Sequence, residues 1–259
     1  MSRDLLGIEV EGAVAVLRLM RPEKRNALNQ ELVEQLGAFF GDPPVGIRAA
    51  VLLAEGDHFC AGLDLDEHSK RSPFEAMAQS RLWHRAFESV EHGQVPLVAA
   101  LHGAVVGGGL ELALTAHVRV AEPSAFYALP EGRLGIFVGG GASVRAGRVL
   151  GADRMRELML TGRRLSAEEG QRLGLSHELV DAGAGAAEAR ARALALQIAG
   201  NAPLTNQLIL TALPRIGDMS RGDGFWVEAL TTAVSQSTAD ADEGLRAFLE
   251  KRPPNFRGE

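Results

Sequence analysis

The 259 residues include one cysteine, one tyrosine and two tryptophans, and aromatic side chains make up only 5% of the chain. A single cysteine, Cys60, excludes an internal disulfide framework and a cysteine-based metal cage, and fits a reducing compartment. No HExxH or paired i, i+4 histidines occur among the seven histidines, so no metal site is expected. Excess positive charge is also missing. Twenty-seven Lys and Arg stand against 33 Asp and Glu, a net charge of −6, which argues against nucleic acid as a partner. The first ten residues, MSRDLLGIEV, hold no apolar run after basic residues, so no signal peptide is expected and the cytoplasm is the default location. The least polar stretch, 93–110, runs 18 residues without Asp, Glu, Lys or Arg, but Pro96, His102 and five glycines argue against a membrane span.

Apolar residues make up 46% of the sequence and charged residues 23%, the balance of a globular protein that buries its own core. The 30 glycines are spread along the chain and form no low-complexity tract, so many must serve tight turns or close backbone contacts. Residues 7–19 read as a strand pair, and 48–53 and 96–101 as short buried strands. The stretch 20–26 is a basic turn, and Asn29 is placed to cap a helix burying Leu32, Val33, Leu36, Phe39 and Phe40. A Gly- and Asp-rich loop is expected over 54–70. Ser72-Pro73-Phe74-Glu75 is a capping box opening a helix to about Val90, and Ser166 to Glu169 is another. A helix is expected from about Gly108 to Thr115, then two short strands around Glu122-Pro123. From Ser143, read as a helix cap, the pattern becomes helical, with later helices near 184–200, 203–213, 224–236 and 239–250. The blueprint is therefore α/β, strand-and-helix units followed by a helical tail. A division near residue 196 separates 1–196 from 197–259 without linker-like composition.

Three segments carry candidate chemistry. In HFCAGLDL (58–65), a loop after a buried strand has backbone amides free to point outward. In HGAVVGGGLELAL (102–114), three glycines precede a helix. Missing Cβ atoms admit a ligand to the backbone, and the first helical amides are unpaired. Neither the P-loop pattern GxxxxGK[ST] nor GxGxxG fits here, which leaves an oxyanion site as the functional reading and close helix packing as the plain one. Glu111 sits in this helix between Leu110 and Leu112. In LPEGRLGIFVGGGASVR (129–145), Glu131 lies between apolar stretches ahead of a second glycine triplet. If both glutamates face one cleft, they form a pair able to hold a water and exchange protons. Ser143 lacks the GxSxG elbow, and Cys60 reads as a small buried hydrophobe.

RPEKRNALN, FCAGLDL, HGAVVGGGLELAL and LPEGRLGIFVGGGAS, followed by LTGRRLSAEEGQRLGL and ADEGLRAFLEKRPPNF, stand in an order and spacing that resembles the enoyl-CoA hydratase/isomerase (crotonase) superfamily. The resemblance covers nearly the whole chain. It implies a spiral core of repeated ββα units, with a C-terminal helical region over 197–259 that assembles trimers or dimers of trimers. It implies an acyl-CoA thioester substrate, so that coenzyme A enters as part of the substrate and no separate cofactor is needed. By the same resemblance, the amides of Leu63 and Gly108 form an oxyanion hole and Glu111 and Glu131 are the catalytic acids. Lys24, Arg25, Ala27, Ala61 and Asp64 contact CoA, and Phe248 and Lys251 match tail positions that reach a CoA site. Leu63 and Val138 replace the smaller residue and the proline common at these positions, which bears on acyl preference. Two glutamates favour hydration. The alternatives are double-bond isomerisation on the same scaffold and acyl-CoA binding without turnover.

Overall fold

The computed structural model describes residues 5–67, 71–181 and 183–259. Residues 68–70 of the expected 54–70 loop lie outside the described residues. Strands β1 (Leu6–Glu11) and β2 (Val14–Leu19) form an antiparallel hairpin. The chain then adds strands in parallel: β3 (Ala49–Ala54), β4 (Leu97–Leu101), β6 (Val118–Ala121) and the two-residue β9 (Glu178–Leu179), giving the order β1-β2-β3-β4-β6-β9. AAVLLA in β3 and LVAAL in β4 are buried throughout. That is the signature of a parallel sheet covered on both faces. A second sheet, β5-β7-β8, is built from β5 (Ala104–Val106), β7 (Phe126–Ala128) and β8 (Leu165–Ser166).

The spiral follows from this topology. β4 and β6 lie side by side in the first sheet, β5 and β7 in the second, and each strand pair leads into a helix: α3 (Gly108–Ala113) after β5, α4 (Glu131–Leu134) after β7. The preceding turn has the same plan. β3 enters the large sheet, Cys60 bridges in parallel to Val105, and α2 (Pro73–Glu91) follows. Further helices are α1 (Gln30–Gly41), α5 (Ala142–Leu150), α6 (Ala152–Thr161), α7 (Ala167–Arg172), α8 (Ala186–Ala199), α9 (Pro203–Ile216), α10 (Arg221–Gln236) and α11 (Ala239–Glu250).

One face of the large sheet packs Leu17, Leu19, Leu52 and Leu97 against Leu32, Leu36 and Phe40 of α1 and Phe87 and Val90 of α2. α1 and α2 come close where a Cβ on Gly37 would sit 2.9 Å from that of Ala86. The opposite face meets α8 through Ala187, Ala191, Ala195 and Ala199, a strict four-residue spacing that lets the helix lie near Val16, Val51 and Val98. Residue 196, the division expected from the sequence, lies within α8.

The caps behave as read at three of four places. The Asn29 side chain accepts from the Leu32 amide, and both capping boxes, Ser72/Glu75 and Ser166/Glu169, are closed. Ser143 is the exception. α5 starts one residue earlier, at Ala142, and its N-cap is Gly141 with φ +110° and no side-chain cap. A carboxylate from another part of the chain satisfies those amides instead, and sequence spacing does not show it.

Candidate active site

The segment 60–64 is held by parallel bridges on two sides. Cys60 donates to the Ala104 carbonyl (2.9 Å) and accepts from Val106 (3.1 Å), while Leu28 donates to Gly62 O (2.7 Å) and Asp64 to Leu28 O (2.9 Å). Neighbouring amides in an extended segment point to opposite sides. Those of Cys60 and Asp64 are therefore consumed, and among the described residues that of Leu63 has no partner. Gly62, at φ +102°, brings this segment against the start of α3. A Cβ there would meet Val106 O at 2.8 Å and the Gly108 nitrogen at 3.3 Å. The Gly108 amide opens α3 and is likewise unpartnered among the described residues. Its own Cβ would lie 3.4 Å from the Leu63 nitrogen and 3.0 Å from the Trp83 ring. Two free N–H groups thus stand side by side, and both residues line a cavity of about 400 Å³.

Glu111 and Glu131 line the same cavity, 3% and 6% exposed. Glu111 reaches it from the first turn of α3, and its Oε1 accepts from Gly140 (2.8 Å) and Ala142 (2.9 Å) at the start of α5. Burial pushes its carboxyl up, opposed by those amides and by the charge of Arg145. Glu131 opens α4. Its Oε2 is buried with no hydrogen-bond partner among the described residues, and its Oε1 sits 2.9 Å from where a Cβ of Gly107 would be. Burial, with the neighbouring Glu111 charge adding to it, raises Glu131 to about 7. One carboxylate is therefore tied by its neighbours. The other is untied and near the midpoint between acid and base at neutral pH, and this contrast lets one group hold a water while the other exchanges a proton.

Most of the remaining wall is apolar, formed by Trp83, Leu65, Leu134, Ile136, Phe137 and Val138. Ser80 lines it too, and donates to the Gly139 carbonyl (2.7 Å). Trp83 and Ser80 lie three residues apart on one face of α2, a signal hidden by the amphipathic pattern of the helix. Gly140 and Ala142 also escape a reading by residue type, because they act through backbone amides.

The other expected site residues fall into groups. Ala61 lines the cavity and donates to Arg25 O (3.0 Å). Lys24 and Arg25 are exposed on the 21–27 turn, where Lys24 pairs with Asp66, and Arg25 and Asn26 are left-handed (φ 51° and 55°). Asn26 is fully buried and braces this turn by donating to Glu55 O and His58 O, both at 2.8 Å. Ala27 and Asp64 are buried. Arg21 joins them, donating to Asp64 Oδ2 (2.6 Å) and to the Ala27 carbonyl. Despite its burial, this pairing holds the Asp64 carboxyl below the usual range. Phe248, 81% exposed, and Lys251 stand at the end of α11, away from the cavity lining. Cys60 is fully buried behind the site, its thiol pushed up to about 12 by burial.

Comparison with known proteins places this geometry. A family model described as enoyl-CoA hydratase/isomerase matches residues 9–259. A crystal structure from Rhodopseudomonas palustris, provisionally titled an enoyl-CoA hydratase, is 48% identical with a TM-score of 0.92, and 95% of each chain is covered. Enoyl-CoA hydratase from Bacillus anthracis superposes with a TM-score of 0.92 at 31% identity, over 99% of this chain and all of that one. In sequence, an enoyl-CoA hydratase from Mycobacterium tuberculosis is 31% identical over 96% of this chain and 95% of its own.

Proposed function

The chain belongs to the enoyl-CoA hydratase/isomerase family, and from that premise we propose that it adds water across the 2,3 double bond of a 2-enoyl-CoA thioester to give a 3-hydroxyacyl-CoA. The observation that carries this reading is the meeting of two unpartnered amides and two buried glutamates on one apolar cavity. Attack of water at Cβ moves electron density onto the thioester oxygen. The Leu63 and Gly108 amides would stabilise that developing charge, an interaction whose loss typically costs about 10²–10³ in rate. Glu111, fixed by the amides of Gly140 and Ala142, would orient the water and, in its ionised form, take its proton. Glu131, held near neutrality by burial, would deliver a proton to Cα. Atoms balance: the water's hydroxyl goes to Cβ, the Glu131 proton to Cα, the 2,3 double bond becomes single, and the proton left on Glu111 returns through water to Glu131 before the next cycle.

Binding of the CoA moiety is assigned to the exposed Lys24 and Arg25, with Ala27, Ala61 and Asp64 shaping that edge and Phe248 and Lys251 reaching a CoA site from the tail. The helical region over 197–259 would assemble a trimer or a dimer of trimers. Exposed Leu213, Phe225, Trp226 and Phe248 give α9 to α11 an apolar surface for this. Light scattering should then return at least three times the 27.5 kDa chain mass. A cytoplasmic location belongs to the same reading, in keeping with the single buried thiol. No described helix is long and apolar enough to cross a membrane.

Loss of the ultraviolet band of crotonyl-CoA on mixing with the protein tests the reaction, with Glu131→Gln as the control. Rapid loss in the wild type alone supports hydration. A shifted double bond from a 3-enoyl-CoA, without hydroxyacyl product, would replace hydration by isomerisation. Acyl-CoA binding with no turnover over a broad acyl panel would overturn both.

A further inference from the structure

Behind the glycine turn that holds Glu111 lies a buried cation. Arg145, in the first half of α5, is 8% exposed. Its Nη1 donates to the Gly140 carbonyl (2.9 Å) and its Nε to Glu91 Oε2 (2.5 Å), and its Nη2 lies 3.7 Å from Glu88 Oε1. The peptide nitrogen of the same Gly140 donates to Glu111. The turn is thus a saddle. A Cβ on Gly140 would strike Glu111 Oε2 at 2.8 Å on one side, and a Cβ on Gly141 would run into the Arg145 guanidinium on the other. Glu88, Glu91 and His92 bring ligand atoms within 4.8 Å of one another, but Arg145 already occupies the two acids. This acidic end of α2 is therefore a seat for the guanidinium.

We propose that Arg145 is a positioning residue for the reaction: by gripping the Gly140 carbonyl it fixes the turn whose amides orient Glu111, and Glu91 and Glu88 fix Arg145 in turn. A planar guanidinium suits this task. Its fork serves a carbonyl and a carboxylate at once. Its field also favours the ionised form of Glu111, which a water-orienting base requires. The groups facing Glu111 are few. Glu131 of α4 opposes its ionisation across the cavity, the amides of Gly140 and Ala142 and Arg145 of α5 favour it, and Glu88, Glu91 and His92 of α2 lie behind Arg145. Arg145, Glu88, Glu91 and His92 also line a pocket on the side away from Glu111, which His84, Arg148, Arg215 and Asp218 share.

The kinetic half of this proposal rests on the hydratase reading, whereas the structural half is measurable without turnover. Protein labelled with [δ-¹³C]glutamate is titrated by NMR, the Glu111 resonance being assigned by its loss in Glu111→Gln. In Arg145→Met the Glu111 midpoint should rise by about one pH unit. On an enoyl-CoA substrate kcat should fall about 10²-fold with KM nearly unchanged, as for other small misplacements of a reacting group. Arg145→Lys, which keeps the charge and loses the fork, should restore the midpoint and only part of kcat. Glu91→Gln, which removes the charge opposite Nε while leaving Arg145 in place, should lower kcat less, and it stands in if Arg145→Met does not fold. Arg148→Met breaks a pair with Asp218 one turn along α5 and should change neither reading. An unmoved Glu111 midpoint and normal kcat in a folded Arg145→Met would overturn the proposal, as would an equal shift in Arg148→Met. A wild type that hydrates nothing, with the Glu111 midpoint still raised in Arg145→Met, would overturn the hydratase reading and leave the positioning role standing.

Discussion

The two glycine triplets, 107–109 and 139–141, look alike in sequence and do opposite things. Gly107 caps α3 and Gly108 and Gly109 form its first residues, whereas Gly141 caps α5 and its triplet lies wholly before the helix, yet each triplet lets other atoms approach the backbone closely. The first leaves the Gly108 amide without a partner among the described residues, on the wall of a cavity. The second gives the Gly140 amide, together with that of Ala142 just after it, to the protein's own Glu111. An unfilled donor pair is a site for something that arrives, and a filled one is a holder for something already there. Steric detail makes the same division: Gly107 clears space for Glu131, Gly108 for Trp83, and Gly140 for Glu111.

The largest expected effect breaks the holder's cargo. Glu111→Gln and Glu131→Gln should each lower kcat by about 10²–10⁴-fold, the range for a general acid or base, with acyl-CoA binding retained. Normal turnover in both would remove the glutamates from the chemistry and leave the first triplet as a binding feature alone. Gly140→Ala sharpens the comparison further. Its methyl group would meet Glu111 Oε2 at 2.8 Å and Phe87 and Trp83 at 3.0 Å. Turnover should fall by about 10²-fold through displacement of Glu111, while acyl-CoA affinity, read by calorimetry, stays near wild type. Equal losses in affinity and turnover would mean that the two triplets are not separable.

Much of this arrangement was legible in residues. The continuous apolar runs of β3 and β4, the hairpin at the start and three caps could all be read locally, because propensity, pattern and capping chemistry agree there. Glu111 between two leucines marked a buried acid. Its meeting with Glu131 came only from the family resemblance, since the spiral brings α3 and α4 to one cavity from positions 20 residues apart. The cap of α5 was misread because its partner is a carboxylate from α3, distant in sequence and invisible to a local rule. β8 and β9, two residues each, are too short to show any period. Arg145 carries no motif at all. Its role follows from a carbonyl, and every residue has one.

A subtler contrast lies between the two glutamates in acid and base. Glu131 is raised from 4.5 to about 7 in the folded chain, so over that interval the native state holds a proton that the unfolded state has released. Stability therefore decreases as pH rises between about 4.5 and 7 for this group, since the unfolded state binds fewer protons there. Urea midpoints measured across this window should slope downward more steeply in the wild type than in Glu131→Gln. Glu111 is also raised by burial, against its amide partners and Arg145, so its Gln variant should flatten the slope in the same direction. A wild-type slope matched by Glu131→Gln would show that Glu131 has an ordinary carboxyl pKa.

The smallest effect belongs to the 21–27 turn, where the comparison reaches the rim of the site. Lys24 is an exposed partner of Asp66, and an exposed pair of this kind contributes little to folding. Lys24→Ala should leave the melting temperature almost unchanged. It should raise KM for an acyl-CoA with kcat held, the pattern of a contact made equally in ground and transition states. The neighbouring Arg21 behaves differently, because its guanidinium lies inside the fold between Asp64 and the Ala27 carbonyl. Arg21→Met should lower the melting temperature and kcat together, since Asp64 follows directly on the Leu63 amide in the chain. If Lys24→Ala and Arg21→Met gave the same KM change with kcat held in both, the turn would be a charged rim alone and not a brace for the amide at Leu63.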